Sequence, residues 1–504
     1  MTVEQLDLTL LVGAVVLLVS IAAVRLATGS GLPTLLIYLG LGLVLGENAI
    51  GVHFDDAELA RSLGYAALVV ILAEGGLTTS WDSIRATVPA AASLATVGTA
   101  VSVGVVGVAA HLLLDIGWQE ALLVGAVLAP TDSAAVFSVL RKVPLPARLG
   151  GLLEAESGFN DAPVVILVVA LAGHSAPTWW GVLLLIGYEL VLGAAVGLLV
   201  GYAGAWGVRR IALPSSGLYP LAVVALCVAA YGAAAVAHGS GFLAVYVAAL
   251  ALGNLRLPHR AATRGFVEGA GWLAQIGLFV MLGLLATPAD LGSSVLPALG
   301  VGLVLLVVAR PAAVLASLLP LQRAWRRLPD VVHFPTTRGE RLLLSWAGLR
   351  GAVPVVLATV PADTDVFNLV FVLVVVFTLV QAPTLPRVAR RLGVVAEGEM
   401  QELDIESSPL TRLDADLLQV HVVAGSRLAG VEVAELSLPP GAAVTLVVRD
   451  GATFVPTPTT PLRAGDDLIL VTPEPVRREV ERRLRAVSRG GRLADWATRP
   501  RPRR

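Results

Sequence analysis

The sequence is poor in charge, cysteine and lysine. Asp, Glu, Lys and Arg make up 14% of its 504 residues, compared with about 25% in soluble domains. The single cysteine, Cys227, excludes a disulfide framework and a thiolate metal site, and the single lysine, Lys142, leaves arginine as the main positive charge. Hydrophobic residues make up 56% of the chain, and the mean hydropathy is +0.80. This composition predicts a polytopic membrane protein with a soluble tail and excludes disorder, collagen and coiled coil.

Hydrophobic runs divide the first 395 residues into thirteen candidate membrane spans, because about 20 apolar residues cross a bilayer as a helix. The runs lie at roughly 7–28, 32–46, 60–79, 87–113, 120–140, 149–173, 178–208, 217–238, 242–254, 264–286, 293–319, 339–360 and 364–392. Glu4 and Asp7 precede the first run without any basic residue, which is unlike a secretory signal and favours an external N-terminus.

The placement of basic residues supports an odd number of spans. With an external N-terminus, the inner loops carry eighteen basic residues and the outer loops carry one, Arg61. Basic loops stay on the cytoplasmic side of a membrane. We therefore predict thirteen spans in the cell membrane and a cytoplasmic C-terminus, because an even number would break the alternation.

Ionisable residues inside these spans are clustered. Each costs about 2.5–3.5 kcal/mol at the centre of a membrane helix, so each needs a partner or a function. They are Glu74, Asp132, Glu154, Glu156, Asp161, Glu189, Arg310 and Arg350. Asp132 lies midway along the fifth span, three acids lie in the sixth, and Arg350 lies midway along the twelfth. The sequence thus predicts a polar centre built from these three spans.

The fifth and twelfth spans are interrupted at their centres. Leu128–Ser133 contains Pro130, and Gly348–Pro354 contains two glycines and a proline. Proline removes a backbone donor, and non-helical backbone at membrane depth is stable only where it lines a cavity or is buried in protein. If span seven links two six-span halves of opposite orientation, the breaks occupy equivalent positions, which is typical of a transporter's ion site. Ordinary helix packing with Gly and Pro is the alternative.

Asn160 and Asp161 in the sixth span form the most informative pair. A carboxylate at the midplane loses its charge by binding either a proton or a metal cation, and competition between the two is the basis of an exchanger. Ser157 lies four residues before Asp161, on the same helical face. Na⁺ and K⁺ prefer oxygen ligands, which Thr131, Ser157, Asp161 and Glu74 supply.

Arg350 is permanently charged and needs an anionic partner. We predict Glu156 as that partner, which leaves Asp161 free for transport; in the alternative, Asp161 pairs with Arg350 and has no transport role. Asp132 either orients the broken backbone amides or binds the ion, and the sequence leaves both open. Glu189 is expected to snorkel or to cap a helix. The histidines lack ligand spacing, so no cofactor is predicted.

Four motifs in the same order resemble the NhaP-type monovalent cation:proton antiporter family. They are Glu74–Leu77, Ala129–Phe137, Glu156–Asp161 and Gly348–Pro354, and Trp272–Ile276 also resembles the potassium/proton branch of that family. The resemblance covers about residues 5–395. It implies a homodimeric transporter rather than an enzyme, with thirteen helices in two inverted six-helix repeats, broken and crossing fifth and twelfth helices, and a mobile bundle that alternates the site between the two sides.

The resemblance also implies a role for each site residue. Asp161 would be the carboxylate shared by cation and proton. The other implied roles are cation ligands for Thr131, Ser157 and Glu74, organisation of the site for Asn160, and an ion pair for Glu156 with Arg350. The Asn–Asp pair is similar to the electroneutral subgroup, which exchanges one proton for one cation. Ala162 and Phe159 depart from the family pattern and leave the ion selectivity open.

The chain becomes polar after the last span. We predict a transmembrane domain over 1–395, an acidic linker over 396–410, a small cytoplasmic α+β domain over 411–488 and a basic disordered tail over 489–504, which anionic lipid headgroups attract. The domain prediction rests on β-rich runs at 417–423, 443–449 and 467–472, followed by a helix at about 475–487.

Three stretches of the tail resemble the TrkA-C module of potassium-uptake regulators. They are Gly425–Gly430, Arg449–Gly451 and Leu462–Asp467. The resemblance implies dimerisation and a small cytoplasmic ligand, and it favours K⁺ as the transported ion.

The predicted function is antiport of K⁺ or Na⁺ against H⁺, with the tail as a regulator and with membrane lipid, but no nucleic acid, as a partner. The alternative is a tail-gated cation channel or uniporter without proton coupling. The carboxylates inside the spans argue against that alternative, because a channel needs no group that exchanges a proton for a cation.

Overall fold

The structure is a computed structural model that describes residues 3–30, 33–46, 51–52, 54–140, 145–173, 178–255, 257–325, 336–395, 404–410, 415–423, 425–491 and 494. The chain divides into two compact units, residues 1–395 and 396–504. The following residues used above lie outside the described ones: Arg141, Lys142, Arg256, Arg326 and Arg327 of the inner loops, 396–403 of the linker, 411–414 and 424 of the predicted cytoplasmic domain, and 492–493 and 495–504 of the basic tail.

The first unit is helical. Its helices are α1 (Val3–Ser30), α2 (Thr34–Leu45), α3 (Ala57–Thr78), α4 (Trp81–Ile84), α5 (Val88–Ser93), α6 (Thr99–Leu114), α7 (Trp118–Val127), α8 (Ser133–Leu140), α9 (Ala147–Ala172), α10 (Trp179–Arg210), α11 (Leu218–Val236), α12 (Gly241–Asn254), α13 (Arg260–Leu285), α14 (Pro288–Val304), α15 (Arg310–Trp325), α16 (Arg338–Trp346), α17 (Ala352–Leu357) and α18 (Thr364–Arg391).

Eight helical segments of the described residues are long and apolar enough to cross a membrane, and three shorter apolar helices accompany them. Each of the thirteen hydrophobic runs contains helix. The first unit is therefore a multi-pass membrane domain. The number of crossings and the inverted repeat stay predictions.

Two of the long segments contain a π-helical turn, at Leu94–Gly98 between α5 and α6 and at Leu305–Ala309 between α14 and α15. A π turn inserts one residue into the helical repeat and so changes the direction of the side chains that follow it. Arg310 comes directly after the second π turn and is buried.

The fifth and twelfth runs are both broken. Non-helical backbone at 128–132 separates α7 from α8, and 347–351 separates α16 from α17. The two breaks meet, because the Asp132 amide donates to the Leu349 carbonyl over 2.9 Å. A Cβ atom at Gly351 would overlap the Asp132 carboxylate, so the twelfth run can pass this point only as glycine. The contact therefore holds two stretches of irregular backbone together inside the protein.

The helices of the first unit form two groups. Helices α2, α3 and α10–α13 pack mainly on one another, whereas α5–α9 and α14–α18 pack mainly on one another. We call them the first and second helix groups. They meet where α9 contacts α12 and where α17 contacts α3.

The second unit is built on an antiparallel sheet in the order β1-β2-β5-β3-β4. Its elements are β1 (Asp404–Leu410), β2 (Ala415–His421), β3 (Ala443–Arg449), β4 (Ala452–Phe454), β5 (Asp467–Pro473) and helix α19 (Arg477–Gly490). Alternate residues of β2 and β5, such as Leu418, Val420 and Leu470, are buried with Leu484 of α19. The β-rich runs from which the α+β domain was predicted overlap β2, β3 and β5.

The linker prediction was wrong for residues 404–410. This acidic stretch forms β1 and pairs along its whole length with β2. Charged residues are common on edge strands because they oppose pairing with further strands, so an acidic composition does not exclude a strand. Residues 489 and 490 of the predicted tail are the last residues of α19.

Candidate functional site

A cavity of about 430 Å³ lies between the two helix groups. The first group contributes Glu74, Thr79, Tyr246 and Glu268, among others. The second group contributes both breaks and the polar face of α9. The acidic residues that line the cavity are Glu74, Asp132, Glu154, Asp161 and Glu268. The structure thus brings the predicted carboxylates on α3, at the break before α8 and on α9 to one cavity.

Asp161 lies on α9 and is 6% exposed. Its Oδ1 atom has no hydrogen-bond partner among the described residues, although it is buried and the side chain lines the cavity. An unpartnered polar atom at this depth is costly, and a charged one more so. A proton or a cation that entered the cavity would remove this cost.

The side chains around Asp161 hold Thr131 in place. The Ser157 hydroxyl donates to the Thr131 carbonyl over 2.9 Å, and the Asn160 Nδ2 donates to the Thr131 hydroxyl over 2.9 Å. These bonds connect two successive turns of α9 to the break in the fifth run. The carbonyl keeps a second lone pair, so Thr131 can still accept a cation.

Asp132 has a structural role in addition to its place in the cavity wall. Its Oδ1 accepts a hydrogen bond from the Ala135 amide over 3.2 Å at the start of α8. A carboxylate at a helix N-terminus is stabilised by the amides that have no partner within the helix. The prediction that Asp132 orients broken backbone agrees with this contact, and its second role as an ion ligand stays a prediction.

Arg350 does not pair with Glu156, so the predicted ion pair was wrong. Its Nε donates to the Leu128 carbonyl over 2.7 Å and its Nη1 to the Gly348 carbonyl over 2.9 Å. Both acceptors lie where a helix ends at a break, so their carbonyls have lost their helical partners. The guanidinium therefore donates to the ends of α7 and α16, and Glu156 acts on it electrostatically without a hydrogen bond.

Glu156 pairs instead with Arg310. The two Nη atoms of Arg310 donate to the two carboxylate oxygens of Glu156 over 2.5 and 3.0 Å, with exposures of 4% and 2% for the two residues. This two-pronged geometry is the strongest form of a carboxylate–arginine contact. Among the described residues, Asp161 has no arginine partner, as predicted, but the arginine that pairs with Glu156 is Arg310 and not Arg350.

Three ionisable residues that line the cavity were not assigned to the site from the sequence. Glu154 shares a helical face with Ser157 and Asp161, and it accepts a hydrogen bond from the Thr79 hydroxyl of the first helix group. Its spacing in the sequence could have placed it in the site. No spacing signal marks Tyr246 or Glu268, which lie on helices that reach the cavity only through tertiary packing.

Glu74 lines the cavity as predicted for a ligand, and Glu268 of α13 interacts with it electrostatically. Glu189 on α10 does not line the cavity. The structure therefore brings Glu74 into the site and leaves Glu189 outside it.

Two broken helices that meet beside a buried carboxylate, in a cavity between two groups of membrane helices, define a helical membrane transporter. Comparison with known proteins shows to which transporter family the chain belongs. The chain belongs to the sodium/hydrogen exchanger family: the family described as "Sodium/hydrogen exchanger, transmembrane" matches residues 14–391, and the TrkA-C domain matches residues 417–485.

Relatives match over most of the chain. The K(+)/H(+) antiporter NhaP of Alkalimonas amylolytica is 36% identical over 89% of this chain and 78% of its own length. The K(+)/H(+) antiporter NhaP2 of Shewanella oneidensis is 34% identical over 94% of this chain and 83% of its own length. The Na(+)/H(+) antiporter NhaH of Halobacillus dabanensis is 27% identical over 75% of this chain and 96% of its own.

The fold is similar to that of a solved structure, the sodium proton antiporter MjNhaP1 from Methanocaldococcus jannaschii at pH 8. The TM-score is 0.66 at 20% identity, over 77% of this chain and 99% of that one.

Proposed function

We propose that this protein exchanges a monovalent cation for H⁺ across the cell membrane, with Asp161 as the carboxylate that both substrates share. The buried, unpartnered Oδ1 of Asp161 in a cavity between two helix groups is the observation that carries the proposal. The family supports it, because exchange of sodium for hydrogen ions is the activity in the family's description.

The cation binds where oxygen atoms converge. Asp161, the Thr131 carbonyl and Ser157 supply ligands from α9 and the fifth-run break, and Glu74 supplies a carboxylate from the opposite wall. Asn160 organises the site by holding the Thr131 hydroxyl. Oxygen ligands of this kind suit a hard monovalent cation. When a proton binds Asp161 instead, the charge that holds the cation is gone, so the two substrates bind alternately.

Exchange by one carboxylate predicts an electroneutral cycle. Asn160, next to Asp161, carries no charge. The site therefore carries one monovalent cation across the membrane in one direction and one proton in the other. The second helix group carries the breaks and α9, and its movement against the first group would expose Asp161 alternately to the two sides. In this proposal, residues 1–395 form the transport domain, with thirteen membrane-spanning helices in two inverted repeats.

Orientation and assembly complete the proposal. The cavity reaches Thr34 and Thr78, at helix ends next to the predicted inner loops, so it opens to the cytoplasm if the N-terminus is outside. The protein would act as a homodimer in membrane lipid, with the TrkA-C domain binding a small cytoplasmic ligand that regulates exchange. K⁺ is the first cation to test, because the relatives with the higher identities are named K(+)/H(+) antiporters.

Proteoliposomes that contain a pH-sensitive dye test this function. We expect K⁺ or Na⁺ added outside to move protons under a clamped membrane potential, and Asp161→Asn to abolish this movement while the protein still inserts. Asp290→Asn, at an exposed acid outside the cavity, is the matched control and should exchange normally. Cation flux without proton movement would instead indicate a channel or uniporter, and normal exchange by Asp161→Asn would refute the site.

A further inference from the structure

Tyr246 is a buried polar side chain in the cavity for which the proposed exchange cycle has no role so far. It lies on α12 of the first helix group, is 2% exposed and lines the cavity together with Asp161 and Glu154. Its hydroxyl makes no hydrogen bond of good geometry among the described residues, and the Thr79 side chain is the neighbour that comes close to forming one. The hydroxyl oxygen of Thr79 lies 2.6 Å from the Gly75 carbonyl and also contacts the Glu154 carboxylate, and its single proton goes to one of these two acceptors.

The position of the Tyr246 hydroxyl is fixed by close packing against α9. A methyl group at Gly158 would lie 2.8 Å from the hydroxyl oxygen and 2.5 Å from the ring carbon that bears it. Phe159 packs against the ring edge to face, with 5.9 Å between the centroids. The phenol of Tyr246 therefore reaches from α12 across the boundary between the helix groups. Its hydroxyl ends at Gly158 of α9, one helical turn before Asp161.

A buried hydroxyl that makes no hydrogen bond is unfavourable, and most such groups have a partner in proteins. Asp161 and Glu154 both interact electrostatically with Tyr246, so a cation between these acids would lie near its oxygen. A neutral hydroxyl oxygen is a suitable ligand for a monovalent cation or for a water molecule bound to it. A proton on Asp161 needs no such oxygen shell.

We propose that the Tyr246 hydroxyl supplies an oxygen ligand, directly or through one water molecule, to the monovalent cation held at Asp161. The inference rests on the proposed function of Asp161 and adds a residue that favours the cation over the proton. It makes Tyr246 a determinant of cation affinity rather than of the maximal rate.

Tyr246→Phe removes only the hydroxyl and keeps the ring packed on Gly158. In proteoliposomes, we expect the cation concentration for half-maximal exchange to rise about three- to tenfold, with an unchanged maximal rate. Because the proton then competes better, the acid limb of the pH profile at fixed cation concentration should move to higher pH by up to about one unit. Thermal stability in detergent should equal that of the wild type.

Tyr38→Phe is the matched control. Tyr38 is 1% exposed and its hydroxyl also makes no hydrogen bond of good geometry among the described residues, with the Thr34 side chain as the neighbour that comes close; Tyr38 itself does not line the cavity, so exchange should be unchanged. The inference is overturned if Tyr246→Phe has the wild-type half-saturating concentration, or if it only loses stability and maximal rate. Asp161→Asn distinguishes failure of the Tyr246 inference from failure of the proposed function, because normal exchange by Asp161→Asn would refute the proposed function itself.

Discussion

The buried Arg310–Glu156 pair allows a quantitative prediction. Both side chains are nearly inaccessible, and two charge-assisted hydrogen bonds of 2.5 and 3.0 Å join them. Arg310→Ala leaves the Glu156 carboxylate buried without its partner, which costs about 3–5 kcal/mol of stability. Arg350→Ala leaves two backbone carbonyls without their donor, at about 1–3 kcal/mol for each.

A double-mutant cycle distinguishes the two arginines. With Glu156→Gln as the common partner, the coupling energy from thermal or denaturant unfolding in detergent should be about 0.5–3 kcal/mol for Arg310 and smaller for Arg350. Glu156→Gln also lowers stability, because it leaves the buried Arg310 guanidinium without its counter-ion, but it should be milder than Arg310→Ala because the amide oxygen still accepts one hydrogen bond. Stronger coupling of Glu156 to Arg350 than to Arg310 would refute the assignment.

Two further predictions concern the breaks and the second unit. Gly351→Ala should lower both stability and exchange rate because its Cβ overlaps the Asp132 carboxylate, whereas Gly40→Ala, with no atom within 4 Å, should have little effect; equal behaviour of the two would contradict the packing. In the second unit, burial raises the pKa of Asp466, but hydrogen bonds from Arg449 at 2.7 and 2.8 Å and from the Arg463 amide at 2.7 Å hold that pKa below its ordinary value of 3.8. This stabilisation is complete above the ordinary pKa and is lost as the pH falls through the lowered pKa. Hydrogen-exchange protection of β5, corrected for intrinsic exchange rates, should therefore fall in acid in the wild type. In Arg449→Met, the protection should fall less steeply.

Part of the site is readable in the sequence because its chemistry is local. Pro130 and Gly351 mark the two breaks, and Asp161, Asn160 and Ser157 share one stretch of α9, so pattern and spacing alone assign them to one candidate site. Glu74 also follows, because a carboxylate in an apolar helix needs a function.

The rest depends on tertiary geometry. The predicted partner of Glu156 was wrong because Arg310, which follows a π turn and is buried, reaches the carboxylate through helix packing that the sequence does not signal. Tyr246 lies in an unremarkable apolar helix, and only the packing of α12 on α9 brings its hydroxyl to the cavity. Strand β1 was missed because its acidic composition resembles a linker, whereas its stability comes from backbone pairing with β2.

The central claim is that one carboxylate, Asp161, binds cation and proton in turn. The most direct test measures the cation concentration for half-maximal exchange at a series of pH values in proteoliposomes with clamped potential. Competition for one site predicts that this concentration rises about tenfold for each unit of acidification below the pH at which Asp161 takes up its proton, while the maximal rate at saturating cation stays constant. A half-saturating concentration that is independent of pH, with only the maximal rate falling in acid, would contradict the shared site.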